Sequence, residues 1–248
     1  MRLALATLWI LAGSVLTAGI YWAFLSTPES TVWMLIVSAI LAVIALAMAG
    51  VTASGAIAIW SHGASLSGMG RAMRSTAGVI PAALIILLIW WLAGRAETWL
   101  ALRSGQISAI FIARFGIADV TRLFTATHSI ANCFRWVISP LMALSLMAGI
   151  AAAGWAALGQ AAWLRRALHP RAIVMATLWF VVLIALPWLY LVPWRPKGLP
   201  ASSVEFAFIV AKLSITAILF AIGAALIAYE AARVKPRPGD PSPAVAAA

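Results

Sequence analysis

The sequence predicts an all-α fold, namely a polytopic membrane helix bundle of about six transmembrane helices with one interfacial amphipathic helix. The 248 residues are 65% hydrophobic and only 9% charged, whereas soluble domains are about half apolar and about a quarter charged. Several apolar runs approach the roughly 20 residues that a helix needs to cross a bilayer. The chain also has 13 Trp, a residue enriched where membranes meet water. This composition excludes a soluble globular domain.

Six apolar runs are separated by turn residues and by loops rich in Gly, Ser and Arg. Pro28 separates the first two runs, because a helix interior does not tolerate proline, and Ser30 or Thr31 can cap the next helix. Pro187 is expected to kink the fifth run. The predicted spans are residues 3–24, 32–53, 78–94, 136–158, 172–192 and 204–228, in a single transmembrane domain over 1–232 that is followed by a disordered polar tail over 233–248.

Residues 95–135 are the most polar part of the predicted membrane domain. The run "ISAIFIARFGIADVTRLF" has an apolar face and arginines elsewhere, which is typical of a helix that lies in the membrane interface. Spanning the bilayer here would bury Arg114 and Asp119, at about 2.5–3.5 kcal/mol each. We therefore predict an interfacial helix over 105–130 rather than a seventh span. Its apolar face consists of Ile107, Ile110, Phe111, Phe115 and Ala118.

The basic residues are dispersed, although the net charge is +11. They form no block with interleaved aromatics, so we expect contact with anionic lipid headgroups and no nucleic acid. A cytoplasmic N-terminus places nine Lys and Arg residues on the cytoplasmic side and seven on the other, as the positive-inside rule favours. The acidic loop with Glu29 also fits the outside. We predict that both termini are cytoplasmic, in a bacterial inner membrane.

The stretch "EFAFIVAKLS" (205–214) places two ionisable side chains in the sixth span. Glu205 and Lys212 lie on nearly the same helical face, about 10.5 Å apart along the axis. An unpaired ammonium two turns below the membrane surface is costly. One interpretation is that Lys212 and Glu205 line a substrate or ion path. The other is that Lys212 snorkels to the headgroups and Glu205 is simply at the surface.

A second polar pattern leads into the fourth predicted span, where polar residues recur every three or four positions and form one helical stripe. His128, Asn132 and Arg135 are therefore candidates for a vestibule of a solute path, in which His128 could titrate near neutral pH. The alternative is the wet face of an interfacial helix. The whole stripe is Thr121, Thr125, His128, Asn132, Arg135 and Ser139.

Small residues recur at every fourth position in two spans, a spacing that lets helices pack closely in membranes. These predicted packing seams are Ser145, Gly149 and Ala153 in the fourth span and Ala217, Ala221 and Ala225 in the sixth.

Motifs for metal binding or catalysis are missing from the sequence. His62, His128 and His169 are far apart, and Cys133 has no second cysteine, so we expect no metal and no cofactor. No nucleophile with an oriented base can be identified.

A lysine in the last span resembles the retinal-binding lysine of the microbial rhodopsins. The stretch "FRWVIS" (134–139) also resembles the arginine–aromatic start of one of their helices. The resemblance implies seven spans and retinal on Lys212. This chain departs from that pattern, because it has six predicted spans and no carboxylate follows Arg135 in its helix.

Three functions remain, in order of preference. The first is a non-catalytic membrane-embedded subunit or scaffold, whose partners are other membrane proteins or further copies of the chain. The second is a small transporter or channel that uses Lys212 and Glu205, and the third is an intramembrane enzyme. The first is preferred because a transport path normally has several polar groups near the midplane, whereas ionisable groups are nearly absent from the first five spans.

Overall fold

The computed structural model describes residues 1–28, 31–62, 70, 76–116, 121–194 and 202–233. Within these ranges every regular element is a helix, and six stretches are long and apolar enough to cross a membrane. The chain is therefore an all-α, multi-pass membrane protein, and the predicted fold class is confirmed. Its spans are span 1 (Arg2–Ser26), span 2 (Val32–Ser61), span 3 (Thr76–Leu102), span 4 (Phe124–Gly159), span 5 (Pro170–Leu191) and span 6 (Val204–Ala232).

The elements of the described ranges are almost all α-helical. The predictions made for Glu29, Ser30, Ala118, Asp119 and residues 234–248 of the tail lie outside these ranges. The α-helices are Arg2–Ser26, Val32–His62, Val79–Leu102, Ser104–Phe115, Thr121–Cys133, Ser139–Ala153, Ala162–Ala167, Pro170–Phe180 and Ser202–Ala232, with π-helical segments at Phe134–Ile138, Val181–Ala185 and Pro187–Leu191 and 3-10 helices at Thr76–Gly78 and Gly154–Gly159.

The break between spans 1 and 2 follows from local chemistry. Thr27 has an extended backbone (φ −82°, ψ 116°), which is the conformation favoured before a proline. Thr31 caps the next helix, because its Oγ1 accepts a hydrogen bond from the Met34 N–H at 3.3 Å and satisfies one of the free donors of the first turn. The helix that begins at Val32 continues to His62, well past the predicted span.

Span 3 is longer than predicted. Its helix continues to Leu102, whereas the sequence suggested a polar segment from Arg95 onwards. Two charged residues of this extension have partners in the fold. The Arg95 guanidinium lies 5.6 Å from the centroid of the Trp91 ring, and Glu97 forms ion pairs with span 4.

The single interfacial helix predicted over 105–130 is two helices in the structure. The first, Ser104–Phe115, ends at Gly116, whose φ of 64° lies in the left-handed region that glycine adopts without strain. The second begins at Thr121 and leads directly into span 4. Residues 124–130 therefore extend the fourth span, and two members of the polar stripe, His128 and Arg135, meet Glu97 of span 3.

Two prolines change the helical hydrogen bonding of spans 4 and 5, since proline has no N–H and its ring clashes with the preceding turn. Before Pro140 the helix widens into a π segment, in which the Ser139 N–H bonds to the Phe134 carbonyl. Around Pro187, two π segments follow one another, and the Val192 N–H bonds to the Pro187 carbonyl. Such π turns are frequent at functional positions.

Span 4 is the centre of the bundle. Half of its most apolar window is buried, against 11% to 17% in the other spans, and it contacts spans 2, 3, 5 and 6. Residues from Ser145 to Ile150 are all buried. Spans 1, 2 and 6 also pack against one another, around Ala6, Ala56 and Ala225.

The bundle has a tight half and an open half. The tight half contains the N-terminus and the ends of spans 2, 4 and 6, and the open half contains the starts of those spans and the ends of spans 1, 3 and 5. In the open half, Trp22, Trp33 and Phe206 are 69% to 77% exposed; in a bilayer such faces meet lipid. The apolar core of spans 1, 2 and 6 lies in the tight half and consists of Ala6, Ile10, Ala56, Ile59, Ala221, Ala225 and Ala228.

Four of the six residues in the predicted packing seams are buried within this chain. A Cβ on Gly149 would lie 3.4 Å from the Ala157 Cβ and 3.5 Å from the Trp163 Cβ, so span 4 packs here against the segment that follows it. The Trp60 Nε1 donates a hydrogen bond to the Ala225 carbonyl at 2.9 Å. Ser145, Gly149, Ala221 and Ala225 are buried, whereas Ala153 and Ala217 are exposed.

Candidate functional site

Lys212 of span 6 caps the end of span 5. Its side chain is largely buried, with 7% of the residue exposed. The Nζ donates hydrogen bonds to the Val192 carbonyl at 2.5 Å and to the Trp194 carbonyl at 3.0 Å, and it lies 5.7 Å from the Phe208 ring centroid. Carbonyls at the end of a helix lack backbone N–H partners, and the helix dipole favours a cation there. The ammonium therefore holds the ends of two spans together.

Glu205 is not the partner of Lys212. Glu205 is exposed, and no ion pair joins it to another residue in the described part of the chain. The two residues share a helical face. The Lys212 ammonium instead donates hydrogen bonds to free carbonyls at the end of span 5, so it does not have to reach two turns along its own helix to Glu205. The two-residue site predicted from the sequence is thus not brought together by the fold.

Three ionisable side chains meet between spans 3 and 4, in what we call the Glu97 cluster (Glu97, His128 and Arg135). The Arg135 Nη2 donates a hydrogen bond to the Glu97 Oε2 at 2.5 Å, and the His128 Nδ1 lies 2.7 Å from the Glu97 Oε1. The side chains of Arg135 and Glu97 are 17% and 23% exposed, and that of His128 is 67% exposed. Two members of the predicted polar stripe therefore contact span 3, while Asn132 is half-buried and Thr121 and Thr125 are exposed.

The backbone carbonyl of Arg135 lacks a helical hydrogen-bond donor because of the nearby proline. The Ser139 N–H bonds to the Phe134 carbonyl, and Pro140 has no N–H to offer, so the Arg135 carbonyl has no helical donor. It accepts a hydrogen bond from the Ser139 Oγ at 2.5 Å and another from the Trp90 Nε1 at 3.2 Å. A carbonyl without a donor is costly in a membrane, and these two side chains supply the donors that the helix lacks at this position.

Glu97 is the cluster member that the sequence interpretation did not select. It follows Trp90 by seven residues and Gly94 by three, so all three lie on one face of a continuous helix. Gly94 lies beside the guanidinium, since a Cβ there would be in ordinary van der Waals contact with the Arg135 Nη2, at 3.5 Å. Continuing the helical period of span 3 past Gly94 is the signal that could have identified this carboxylate.

A lateral groove lies between spans 1, 2 and 6, where the tight half gives way to the open half. Its volume is about 490 Å³. The hydroxyls of Thr17 and Thr52 in its wall donate to carbonyls of their own helices, those of Gly13 at 2.7 Å and Met48 at 2.8 Å. Its surface is therefore apolar. The groove is lined by Ile10, Ser14, Thr17, Ala18, Tyr21, Ala49, Thr52, Ala53, Ala56, Leu144, Phe220, Ala224 and Ala228.

The described residues offer no cluster of three or more His, Cys, Asp or Glu side chains that could hold a metal ion. Glu97 and His128 supply two ligands, fewer than the three that catalytic zinc sites take from the protein. The retinal site implied by the resemblance to rhodopsins does not fit either, because the Lys212 Nζ bonds to two carbonyls at the end of span 5 and does not line the groove. No protein-family model, curated protein or solved structure matches this chain.

Proposed function

We propose that this protein is a non-catalytic, membrane-embedded subunit that receives a helix of a partner in the groove between spans 1, 2 and 6. The partner is another membrane protein or a further copy of the chain. The observation that carries the proposal is the lining of the groove. It has small residues four positions apart on each of three helices, namely Ser14 and Ala18, Ala49 and Ala53, and Ala224 and Ala228.

Such pairs suit a helix better than a lipid chain. In a bilayer, helices associate through close packing of their backbones, which small side chains permit, because lipid removes the usual hydrophobic driving force. A lipid tail conforms to surfaces of any side-chain size and has no such requirement. The Thr17 and Thr52 hydroxyls donate within their own helices, and most of the exposed lining is apolar, so the groove suits an apolar helix face better than a polar solute.

Four ionisable side chains of the spans support the same proposal. Lys212 bonds to the end of span 5, and Arg135 and His128 share Glu97. Each of these contacts joins two helices of this chain, and none of these residues lines the groove. A transport path through them would have to break the contacts that hold the open half together.

The test is gentle affinity purification from native membranes into nanodiscs, with mass spectrometry of everything retained. We expect a stoichiometric membrane protein or a homo-oligomer. The substitution Ala49→Leu fills the groove and should release the partner. Ala47→Leu is the matched control, because Ala47 is exposed on the same helix but does not line the groove. Recovery of a lone monomer from wild-type membranes, or equal retention by both variants, would contradict the proposal.

A further inference from the structure

The segment between spans 4 and 5, which we call the connector (residues 154–171), is held firmly against the bundle. The chain turns at Gly154, whose φ is 63°, and passes through a short helix, Ala162–Ala167. Ala157 and Ala167 are almost completely buried, and the Trp163 Cβ lies against Gly149 of span 4. The side chains of the connector are therefore presented from a fixed platform at the end of two spans.

The connector has a concentration of unneutralised positive charge. Arg165, Arg166 and Arg171 lie within seven residues, with His169 between them. Their guanidinium groups have no hydrogen-bond, ion-pair or ring partner in the described part of the chain. The sequence contains no Asp or Glu from residue 120 to residue 204, so no carboxylate of the connector or of spans 4 and 5 can neutralise them.

Five other arginines of the described chain each have a partner within it, whereas Arg114 has none; the connector is distinct because three unpartnered arginines lie within seven residues. Arg135 pairs with Glu97, Arg95 and Arg103 lie over the Trp91 and Trp99 rings, Arg2 donates to the Trp60 carbonyl, and Arg233 lies over the Tyr229 ring. The cations of the connector instead precede or begin span 5 in the sequence, because Arg165 and Arg166 lie in the short helix before it and Arg171 is its second residue. Its first helical turn contains no acidic residue and its N-cap residue, His169, makes no side-chain cap, although the positive end of the helix dipole favours an anion there.

Apolar side chains flank these charges and place them at the membrane surface. Trp155, Leu158 and Leu168 are 46% to 55% exposed and lie on the same connector as the arginines. Exposed apolar groups beside arginines are typical of segments that bury one face among acyl chains and offer the other to headgroups. A soluble anion would need only the charges and not this apolar border.

We propose that Arg165, Arg166 and Arg171 bind the phosphate of an anionic phospholipid, whose acyl chains pack against Leu168 and Trp155. Arginine is suited to this ligand because its guanidinium can donate two parallel hydrogen bonds to phosphate oxygens. With the orientation predicted from the sequence, the connector faces the cytoplasmic leaflet, where anionic lipids attract basic segments. The proposed lipid site and the proposed partner groove share no residue.

The test is native mass spectrometry of the full-length protein in detergent, titrated with phosphatidylglycerol or phosphatidylcholine of the same acyl chains. Three variants are compared with the wild type. The first replaces Arg165, Arg166 and Arg171 with Gln, and the second replaces them with Lys. The third is a control that removes the same charge elsewhere, by replacing Arg95, Arg103 and Arg114 with Gln.

We expect the wild type to bind phosphatidylglycerol in preference to phosphatidylcholine. The control should bind within about threefold of the wild type. The connector Gln variant should bind more weakly by on the order of 100-fold, since a surface arginine contributes roughly fivefold near anionic lipid. Binding of phosphatidylglycerol by that variant at wild-type strength would overturn the proposal.

Two further comparisons test for a site that binds soluble anions and allow for a connector Gln variant that does not fold. Inorganic phosphate in tenfold molar excess should leave bound phosphatidylglycerol in place; complete displacement would make this a site for soluble anions and overturn the lipid assignment. If the connector Gln variant does not fold, the Lys variant and the unmodified protein decide. Equal binding of the two lipids by the wild type would then contradict the proposal, and a retained preference that weakens in the Lys variant would support it.

Discussion

The tight and open halves of the bundle are held together by different interactions. In the tight half, Ala and Ile side chains of spans 1, 2 and 6 pack in one buried cluster, and the Trp9 and Trp60 indoles donate to backbone carbonyls across helices. In the open half, large apolar side chains face outwards. The ion pairs of the described chain lie there, in the Glu97 cluster, as does the Lys212 contact with span 5.

The difference follows from the solvent that a membrane provides. Lipid is as apolar as the side chains, so an open apolar face is not driven to close. A carbonyl or charge in the same region must find a partner, because lipid supplies none. The helices of the open half can therefore remain apart over most of their apolar surface and still be joined by a few polar contacts. The tight half depends on the fit of many small apolar contacts together with the two indole hydrogen bonds.

The largest expected effect comes from removing Lys212, one of the polar ties of the open half. Lys212→Met leaves the Val192 and Trp194 carbonyls without their shared donor and should lower the free energy of unfolding by about 3 kcal/mol, since each charged hydrogen bond contributes roughly 1.5–3 kcal/mol. The measurement is reversible unfolding in mixed detergent micelles.

Glu205→Gln is the control for Lys212→Met, because Glu205 is exposed and lacks a partner in the described chain. We expect a change below about 0.5 kcal/mol. Equal destabilisation by the two substitutions would mean that the lysine and the glutamate do act as a pair, and that Lys212 has more than a capping role.

The second effect concerns the Glu97 cluster. Glu97→Gln leaves the mostly buried Arg135 guanidinium without its carboxylate and should cost about 2 kcal/mol, less than the roughly 3–5 kcal/mol typical of fully buried pairs. A double-mutant cycle with Arg135→Gln should give a coupling energy of about 1–2 kcal/mol. Independent, additive effects of the two substitutions would show that the pair does not hold spans 3 and 4 together.

The fold was more predictable from the sequence than the contacts within it. Six apolar runs were sufficient for the span count, because length and hydropathy alone decide which segments can cross a bilayer. The prediction ended span 3 too early in the sequence and began span 4 too late. The reason is that Arg95, Glu97 and the polar stripe were interpreted as surface features. Their partners come from another span, and a pairing between distant residues is not visible in either segment by itself.

The candidate sites show the same limit. The stripe that contains His128 and Arg135 was recognised from its helical period, but the carboxylate it faces is 31 residues earlier than His128 and 38 earlier than Arg135. Lys212 was recognised as an exception in an apolar span, yet its partners are backbone carbonyls. Every residue has a backbone carbonyl, so the sequence does not show which carbonyls will accept a hydrogen bond from the lysine. Gly149 and Ala225 of the predicted seams lie in packed positions, and their neighbours belong to this chain.

A third prediction compares the halves directly by adding one methyl group to each. Gly55 lies in the tight half, where a Cβ would overlap the Trp9 indole, so Gly55→Ala should cost about 1–2 kcal/mol through overpacking. Gly19 lies in the open half of span 1 with no atom within 4 Å of its added Cβ. Gly19→Ala should therefore be neutral or stabilising by up to about 1 kcal/mol, as expected for alanine in a helix. Equal costs at the two positions in the same unfolding assay would erase the distinction between the halves.

The smallest expected effect is that of His128, the exposed member of the Glu97 cluster. Its imidazole lies 2.7 Å from the Glu97 carboxylate, but solvent reaches 67% of the side chain and screens the interaction, so His128→Gln should cost only about 0.5 kcal/mol. In the Glu97→Gln background the same substitution should cost nothing further, because its partner is already gone. A cost for His128→Gln as large as that for Glu97→Gln would mean that the imidazole, rather than the guanidinium, holds span 4 against span 3.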